Sequence, residues 1–127
     1  MTMGIEMTSK ELQERIKKFI LDIIRLVKKL PKTIENLIFI KQIIRSASSI
    51  GANYAEAICA QTRQEFLHKI NLCRSEANET VYWLDLILAV NPMFEEEIRN
   101  LINEGTELLR IFMSTVKTTK GGFQNNK

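Results

Sequence analysis

Proline, glycine, cysteine and histidine are all scarce in this chain of 127 residues, which contains 2 Pro, 5 Gly, 2 Cys and 1 His. So few chain-breaking residues argue against a sheet protein with many tight turns and favour long uninterrupted elements. The cysteines, Cys59 and Cys73, have neither metal-ligand nor redox spacing, so we expect free thiols. A single histidine without a Gly-rich strand-turn-helix context suggests no catalytic triad, and no enzyme activity or cofactor is expected.

Long apolar runs are also missing. No stretch approaches the ~20 apolar residues that a membrane-spanning helix needs. Residues 1–7 lack the basic segment and apolar stretch of a signal peptide, so we expect a reducing cytoplasm and no membrane partner. The net charge of +3 makes the chain mildly basic, which permits nucleic-acid contact without requiring it.

Apolar residues recur at spacings of three and four, which is the pattern of a helix with one buried face. This pattern predicts four helices, at about residues 9–30, 34–59, 63–90 and 92–117. Residues that favour helix starts precede each one: Thr8 with Glu11, Thr33, Thr62 with Glu65, and Asn91 before Pro92.

Helices of matched length joined by short connections make antiparallel neighbours. The sequence therefore predicts an all-α fold, an antiparallel up-and-down four-helix bundle spanning residues 8–117. Residues 1–7 are predicted to be a flexible N-terminus. The polar stretch 118–127, with its two adjacent glycines, is predicted to be a disordered tail.

Two stretches of the sequence resemble a known family. Residues 45–57, RSASSIGANYAEA, resemble the Arg-x-Ala-x-Ser-Ile run followed by Asn-x-Ala-Glu of the four helix bundle family that includes the 23S rRNA intervening-sequence proteins. Residues 65–70 and 74–84 are similar to the third helix of that family. Gly51 and Ala57 depart from the pattern, since the family often has Pro and Gly at these points.

The resemblance implies a small bacterial protein that forms homopentamers. It also implies a relationship to the accessory protein of diversity-generating retroelements, a pentameric bundle that engages nucleic acid and a reverse transcriptase. No firm biochemical activity follows from the family. The expected partners are other copies of the chain, and RNA or DNA.

Basic residues are concentrated in the first predicted helix. Residues 8–30 contain seven basic and three acidic side chains, a net charge of +4, whereas residues 92–117 contain three and five. The candidate nucleic-acid contacts lie in this helix and the turn after it: Lys10, Arg15, Lys17, Lys18, Arg25, Lys28, Lys29 and Lys32. A pentamer would repeat them five times and attract phosphates strongly. The alternative is a solvated face, with Lys28 and Lys29 stabilising a helix C-terminus.

A polar stripe runs beside the apolar face of the second helix and faces carboxylates of the third. It is predicted to be an interhelical polar network made of Arg45, Ser49, Asn53, Glu56, Glu76 and Glu79. Arg45 with Glu79 is its expected central pair, and a ligand or RNA groove is the alternative. The one Glu65-x-x-His68 motif is half of what a di-iron bundle uses, so no metal is expected.

Some apolar side chains lie beside the core stripes and exceed what one bundle needs. They form the predicted oligomer interface: Leu26, Leu72, Tyr82, Trp83 and Leu86. The resulting hypothesis is a non-enzymatic, homo-oligomeric bundle that binds RNA or another nucleic acid through repeated basic surface. The alternative is a protein-interaction or structural module with no nucleic-acid role.

Overall fold

The computed structural model describes residues 7–125 of the chain and contains four long helices. They are α1 (Ser9–Lys29), α2 (Ile34–Ala57), α3 (Arg63–Val90) and α4 (Glu95–Asn125), with a 3₁₀ turn at Pro92–Phe94 before α4. No strand occurs within this described part. The predicted all-α fold is confirmed.

The four helices form a closed square in which each helix packs on two others. α1 contacts α2 and α4, and α3 contacts α2 and α4, while the diagonal pairs make no close contact within the described residues. α3 makes the most extensive packing and α1 the least. Because the connections are short, successive helices are antiparallel, as the predicted up-and-down bundle requires.

Threonine side chains begin the first three helices as predicted. Thr8, Thr33 and Thr62 each accept a hydrogen bond from the backbone N–H three residues later, at 3.1, 3.2 and 3.0 Å. Glu65 also reaches back to the backbone N–H of Gln61 at 3.3 Å, which completes a capping box. These bonds satisfy N–H groups that a helix start leaves without a partner.

Asn91 does not cap the fourth helix, contrary to the prediction. Its side-chain amide turns inward, where it donates to Oδ1 of Asn36 at 2.8 Å and to the carbonyl of Ile87 at 2.9 Å. Asn36 in turn donates to Oδ1 of Asn91 and to the carbonyl of Pro31, both at 2.9 Å. Without a side-chain cap the chain makes a 3₁₀ turn first, and α4 begins at Glu95 rather than at residue 92.

The C-terminal stretch is helical further than the sequence predicts. α4 continues to Asn125 instead of ending at Lys117, so the predicted disordered tail is wrong for residues 118–125. Glycine costs a helix only about 1 kcal/mol relative to alanine, and no proline follows to stop it. Residues 126–127, and 1–6 of the predicted flexible N-terminus, lie outside the described part. Met7, the remaining residue of that segment, packs against the core.

Two glycines allow the helices to approach closely around the buried core. A Cβ atom on Gly105 would lie 2.9 Å from Cγ2 of Val81 and 3.1 Å from Cζ of Phe19, so α4 meets α3 and α1 there. A Cβ atom on Gly51 would lie 3.1 Å from Cδ1 of Ile20, on α1. Close packing therefore explains both glycines inside helices that would otherwise prefer alanine.

Candidate nucleic-acid interface

The cations of α1 form two separate ridges along the helix. Arg15, Lys18, Arg25 and Lys29 recur at steps of three, seven and four residues on the side that faces α4. Lys10, Lys17 and Lys28 are seven and eleven residues apart, which is close to two and three whole turns, so they share the outer side. The sequence grouped all of these residues together, whereas the structure divides them.

The ridge that faces α4 lines a groove of about 650 Å³ between α1 and α4. Arg15 makes a two-point ion pair with Glu104, with Nε–Oε2 at 2.7 Å and Nη2–Oε1 at 2.8 Å. This hydrogen-bonded pair raises the pKa of Arg15 against the opposing effect of its partial burial. Lys29 pairs with Glu97 at 2.7 Å. These two ion pairs join α1 to α4 across the groove.

The other two cations of the groove share one carboxylate. Lys18 and Arg25 lie one turn on either side of Asp22 and contact its two oxygens at 2.7 and 2.6 Å. The groove is thus lined by four cations and three carboxylates. Its charge is largely balanced by the protein itself.

The outer ridge is different, because its ammonium groups have no carboxylate partner. Lys10, Lys17 and Lys28 are exposed, and none forms an ion pair within the described residues. Lys41 of α2 extends this surface. Ser48 of α2 lines the groove between α1 and α2, and Lys41 lies seven residues before Ser48, on the same side of the helix. Gly51 packs against α1 near Ile20, and the antiparallel course then places Lys41 level with Lys28. We call the surface that carries these four lysines the α1–α2 lysine face.

Lys41 was absent from the sequence-based set, which was drawn from the first helix and the turn after it. The pairing register of α1 and α2 is the signal that would have found it. Lys32, by contrast, was included in that set, but its ammonium group caps the C-terminal end of α1. It donates to the carbonyls of Val27 at 3.1 Å and Leu30 at 2.9 Å.

Part of the polar stripe on α2 and α3 does come together. Arg45 contacts Glu79 through Nη2, the pair that the sequence predicted, and its Nη1 lies 3.4 Å from Oε1 of Glu76. Glu79 also accepts a hydrogen bond from Nε1 of Trp83 at 2.9 Å. The bond from Trp83, followed by the contacts with Arg45, lowers the pKa of Glu79 although burial opposes this. The Arg45 side chain is 47% exposed, so the cluster lies at the surface.

The rest of the predicted stripe lies apart from that cluster. Asn53 donates from Nδ2 to the backbone carbonyl of Ser49 at 2.9 Å, within its own helix. Glu56 pairs with Lys69 of α3 at 2.6 Å. The stripe is therefore an Arg45 cluster and a separate Glu56 ion pair, and not one continuous network.

The fully buried polar contacts between helices were missed by the sequence reasoning. Ser46 and Thr80 are 2.8 Å apart between their hydroxyl oxygens, and both side chains are buried. Thr80 lies three residues after Ala77 and four before Leu84, in the middle of the apolar seam of α3. A polar residue at a seam position was the available signal for an interhelical hydrogen bond.

The predicted oligomer interface is partly at the surface. Tyr82 is 55% exposed, and its ring packs edge-on against Trp83 at a centroid distance of 5.1 Å. Leu72 and Leu86 are half-buried on the same helix. Leu26 is fully buried, so the prediction is wrong for this residue. It lies three residues after Ile23 and belongs to the core stripe of α1.

α2 adds apolar residues to the same outer surface. Ile34 and Ile38 are 81% and 55% exposed. Trp83 of α3 lies against Phe39 of α2, at a ring-centroid distance of 6.1 Å, so the apolar surface continues from α3 onto α2. We call the surface formed by Ile34, Ile38, Leu72, Tyr82, Trp83, Leu86 and Val90 the α2–α3 apolar face.

Residues 7–125 offer little support for a metal site or a membrane-spanning segment. No three His, Cys, Asp or Glu side chains stand together as they would around a metal ion. Glu65 acts as a cap, and His68 is exposed. None of the helices in this part combines the length and apolar character that crossing a bilayer requires.

Comparison with known proteins gives one family. The sequence pattern of the family described as "23S rRNA-intervening sequence protein" matches residues 9–114. A crystal structure from Bacteroides thetaiotaomicron, described as a protein with unknown function from the S23 ribosomal protein family, is similar in fold. Its sequence is 36% identical, the match covers 83% of this chain and 97% of that one, and the TM-score is 0.75. No curated protein matches the chain.

Proposed function

The chain belongs to the family of 23S rRNA-intervening sequence proteins, and from this membership we propose that it is a non-enzymatic, homo-oligomeric bundle that binds RNA or another nucleic acid. The observation that supports binding most directly is the α1–α2 lysine face, whose ammonium groups have no carboxylate partner within the described residues. Such groups can replace the counterions of a phosphate backbone, which is the main source of affinity for nucleic acids.

Self-association is supported by the α2–α3 apolar face. Exposed aromatic and branched apolar side chains that cluster on one side of a domain commonly mark a protein contact. A second copy of the chain is the occupant we propose, in the pentamer that the family resemblance implies. An oligomer would carry several copies of the lysine face. Its overall affinity for RNA would then exceed that of one chain, although each copy makes the same contacts.

The solution mass tests the assembly. We expect light scattering to give a mass near five chains, and the double variant Ile38→Asp, Tyr82→Asp to give a smaller mass because it buries charge in the contact. Asn103→Asp is the control, since Asn103 is exposed on α4, away from the α2–α3 apolar face. A wild-type protein that stays a single chain at all concentrations would contradict the proposal of an oligomer.

Binding is tested with a structured fragment of 23S rRNA over a range of salt concentrations. We expect a dissociation constant that rises steeply with salt, because phosphate contacts release counterions. Absence of binding at low salt would remove the nucleic-acid part of the proposal.

A second candidate is a protein-interaction or structural module without a nucleic-acid role. The observation in its favour is again the α2–α3 apolar face, which needs a protein partner whether or not RNA is bound. Co-purification of one specific protein, with no nucleic acid in the sample and no binding in the salt series, would favour this candidate.

A further inference from the structure

We infer that the α1–α2 lysine face contacts the phosphates of a double-helical nucleic acid, and that the α1–α4 groove takes no part. This inference rests on the proposed function and narrows it in two ways. It assigns the contact to Lys10, Lys17, Lys28 and Lys41, and it names a duplex rather than a single strand as the partner.

The α1–α4 groove and the α1–α2 lysine face differ in how far nearby carboxylates neutralise their cations. In the groove, Asp22, Glu97 and Glu104 already hold the basic side chains at 2.6 to 2.8 Å. A phosphate that entered there would meet three carboxylates and would have to break ion pairs to gain its own. On the lysine face, Glu14 is the one carboxylate that lines the groove between α1 and α2 near Lys17, and the two form no ion pair in the described structure. The lysine face therefore attracts phosphate more strongly.

The spacing of the lysines fits an extended, rigid partner. Lys10 and Lys28 are 18 positions apart on one straight helix, which corresponds to about 27 Å at a rise of 1.5 Å per residue. One turn of a B-form DNA duplex is of similar length, about 34 Å. The row can therefore follow a duplex for most of one turn without a change in α1.

The side-chain chemistry favours backbone contact over base reading. All four residues of the face are lysines, which act as point charges on phosphate, whereas arginine forks are better suited to base edges. Binding of single strands relies on aromatic rings on which bases stack. The exposed ring of Tyr82 lies on the α2–α3 apolar face instead, beside Trp83. A duplex, with its bases already stacked, needs no such platform.

Two triple variants with the same loss of charge test the assignment. The first is Lys10→Gln, Lys17→Gln, Lys28→Gln, on the lysine face. The second is Lys18→Gln, Arg25→Gln, Lys29→Gln, in the groove. The probes are an RNA duplex of about 30 base pairs and arbitrary sequence, one of its strands alone, and poly-glutamate. Circular dichroism establishes that both variants keep the helical fold of the wild type.

We expect the duplex to bind the wild type more tightly than the single strand does. The logarithm of the binding constant falls linearly with the logarithm of the salt concentration, and this slope should become less steep by about 0.9 for each phosphate contact that is lost. The lysine-face variant should therefore lose about 2 to 3 in slope, and the groove variant less than about 1.

The outcomes distinguish this inference from the proposed function. If the wild type binds neither RNA probe at low salt, the proposed function fails and the inference fails with it. If it binds RNA but the groove variant loses as much slope as the lysine-face variant, only the assignment of the surface is overturned. If the single strand binds more tightly than the duplex, the inference that the partner is a duplex is wrong. If poly-glutamate binds more tightly than the duplex, an acidic protein is indicated as the partner instead.

Discussion

Asn36 and Asn91 exchange two hydrogen bonds through their side-chain amides, at 2.9 and 2.8 Å, although they lie 55 positions apart. Both residues are 1% exposed. We expect Asn36→Ala and Asn91→Ala each to lower the free energy of unfolding by about 2–3 kcal/mol, because each leaves buried donors and acceptors of the other unsatisfied. The measurement is urea denaturation followed by circular dichroism.

The double variant shows whether the two amides act as a pair. We expect it to cost less than the sum of the single variants by about 1–2 kcal/mol, since the second change removes a group that has already lost its partner. Ser48→Ala is the control, because Ser48 is exposed and its hydroxyl donates to the carbonyl of Ile44 in its own helix. Strictly additive losses would show that the amides contribute independently.

Gly105→Ala should destabilise the bundle even though alanine is the better helix former. The added methyl group would meet Val81 at 2.9 Å and Phe19 at 3.1 Å, where α4 crosses both neighbours. We expect a net loss of about 1–3 kcal/mol in the free energy of unfolding, as overpacking exceeds the gain of about 1 kcal/mol in helix propensity. Gly121→Ala is the control, since nothing lies within 4 Å of its added atom and it should not destabilise. Equal effects of the two changes would contradict the close approach.

Cys73 should make the protein less stable at alkaline pH. Burial raises the pKa of its thiol from 9.0 to about 12, so the folded state holds this proton at pH values where the unfolded chain releases it. Stability is therefore full below pH 9 and declines as the pH rises from about 9 towards 12, at up to about 1.4 kcal/mol per pH unit. Between pH 8 and pH 10, the wild type should lose about 1.4 kcal/mol more than Cys73→Ala does.

The exposed thiol provides the control for that experiment. Cys59→Ala should keep the pH dependence of the wild type, because Cys59 is at the surface and Cys73 is buried. Urea unfolding at the two pH values supplies the free energies. A wild type and a Cys73→Ala variant with the same pH dependence would exclude the buried thiol as its source.

Glu79 should report its own protonation through Trp83, which is the single tryptophan of the chain. The carboxylate accepts from the indole N–H at 2.9 Å, and this bond together with Arg45 lowers its pKa. We expect a fluorescence change on acidification with a midpoint below the ordinary value of 4.5. The midpoint should rise in Arg45→Met and the step should vanish in Glu79→Gln. A step that persists in Glu79→Gln would assign it to another group.

Much of the fold could be predicted because it depends on local signals. The threonine caps and the apolar spacing of three and four residues are properties of neighbouring positions, and they place α1, α2 and α3 within two residues of their bounds. Asn91 shows where this reasoning stops. Asn before Pro is a good helix start. The side-chain amide of Asn91 instead bonds to that of Asn36, 55 positions away. Only the packed bundle brings these two residues together.

The candidate interface was predicted less completely for the same reason. Counting charges identified α1 as basic, but the side chains that neutralise Arg15 and Lys29 are on α4, and Lys41 comes from α2. Which cations remain unpaired depends on the neighbours of α1 in the bundle. Leu26 was assigned to the surface because a wide apolar stripe does not show which of its edges is covered.

The uneven placement of charge gives the molecule an electric dipole. α1 carries seven basic and three acidic residues, whereas α4 carries four and five. A polyanion in solution would exert a torque on such a body at separations within about a Debye length, roughly 8–10 Å at moderate salt. For the proposed contact with a nucleic acid, this field would orient the lysines towards the phosphates before the two molecules touch, which raises the fraction of productive collisions.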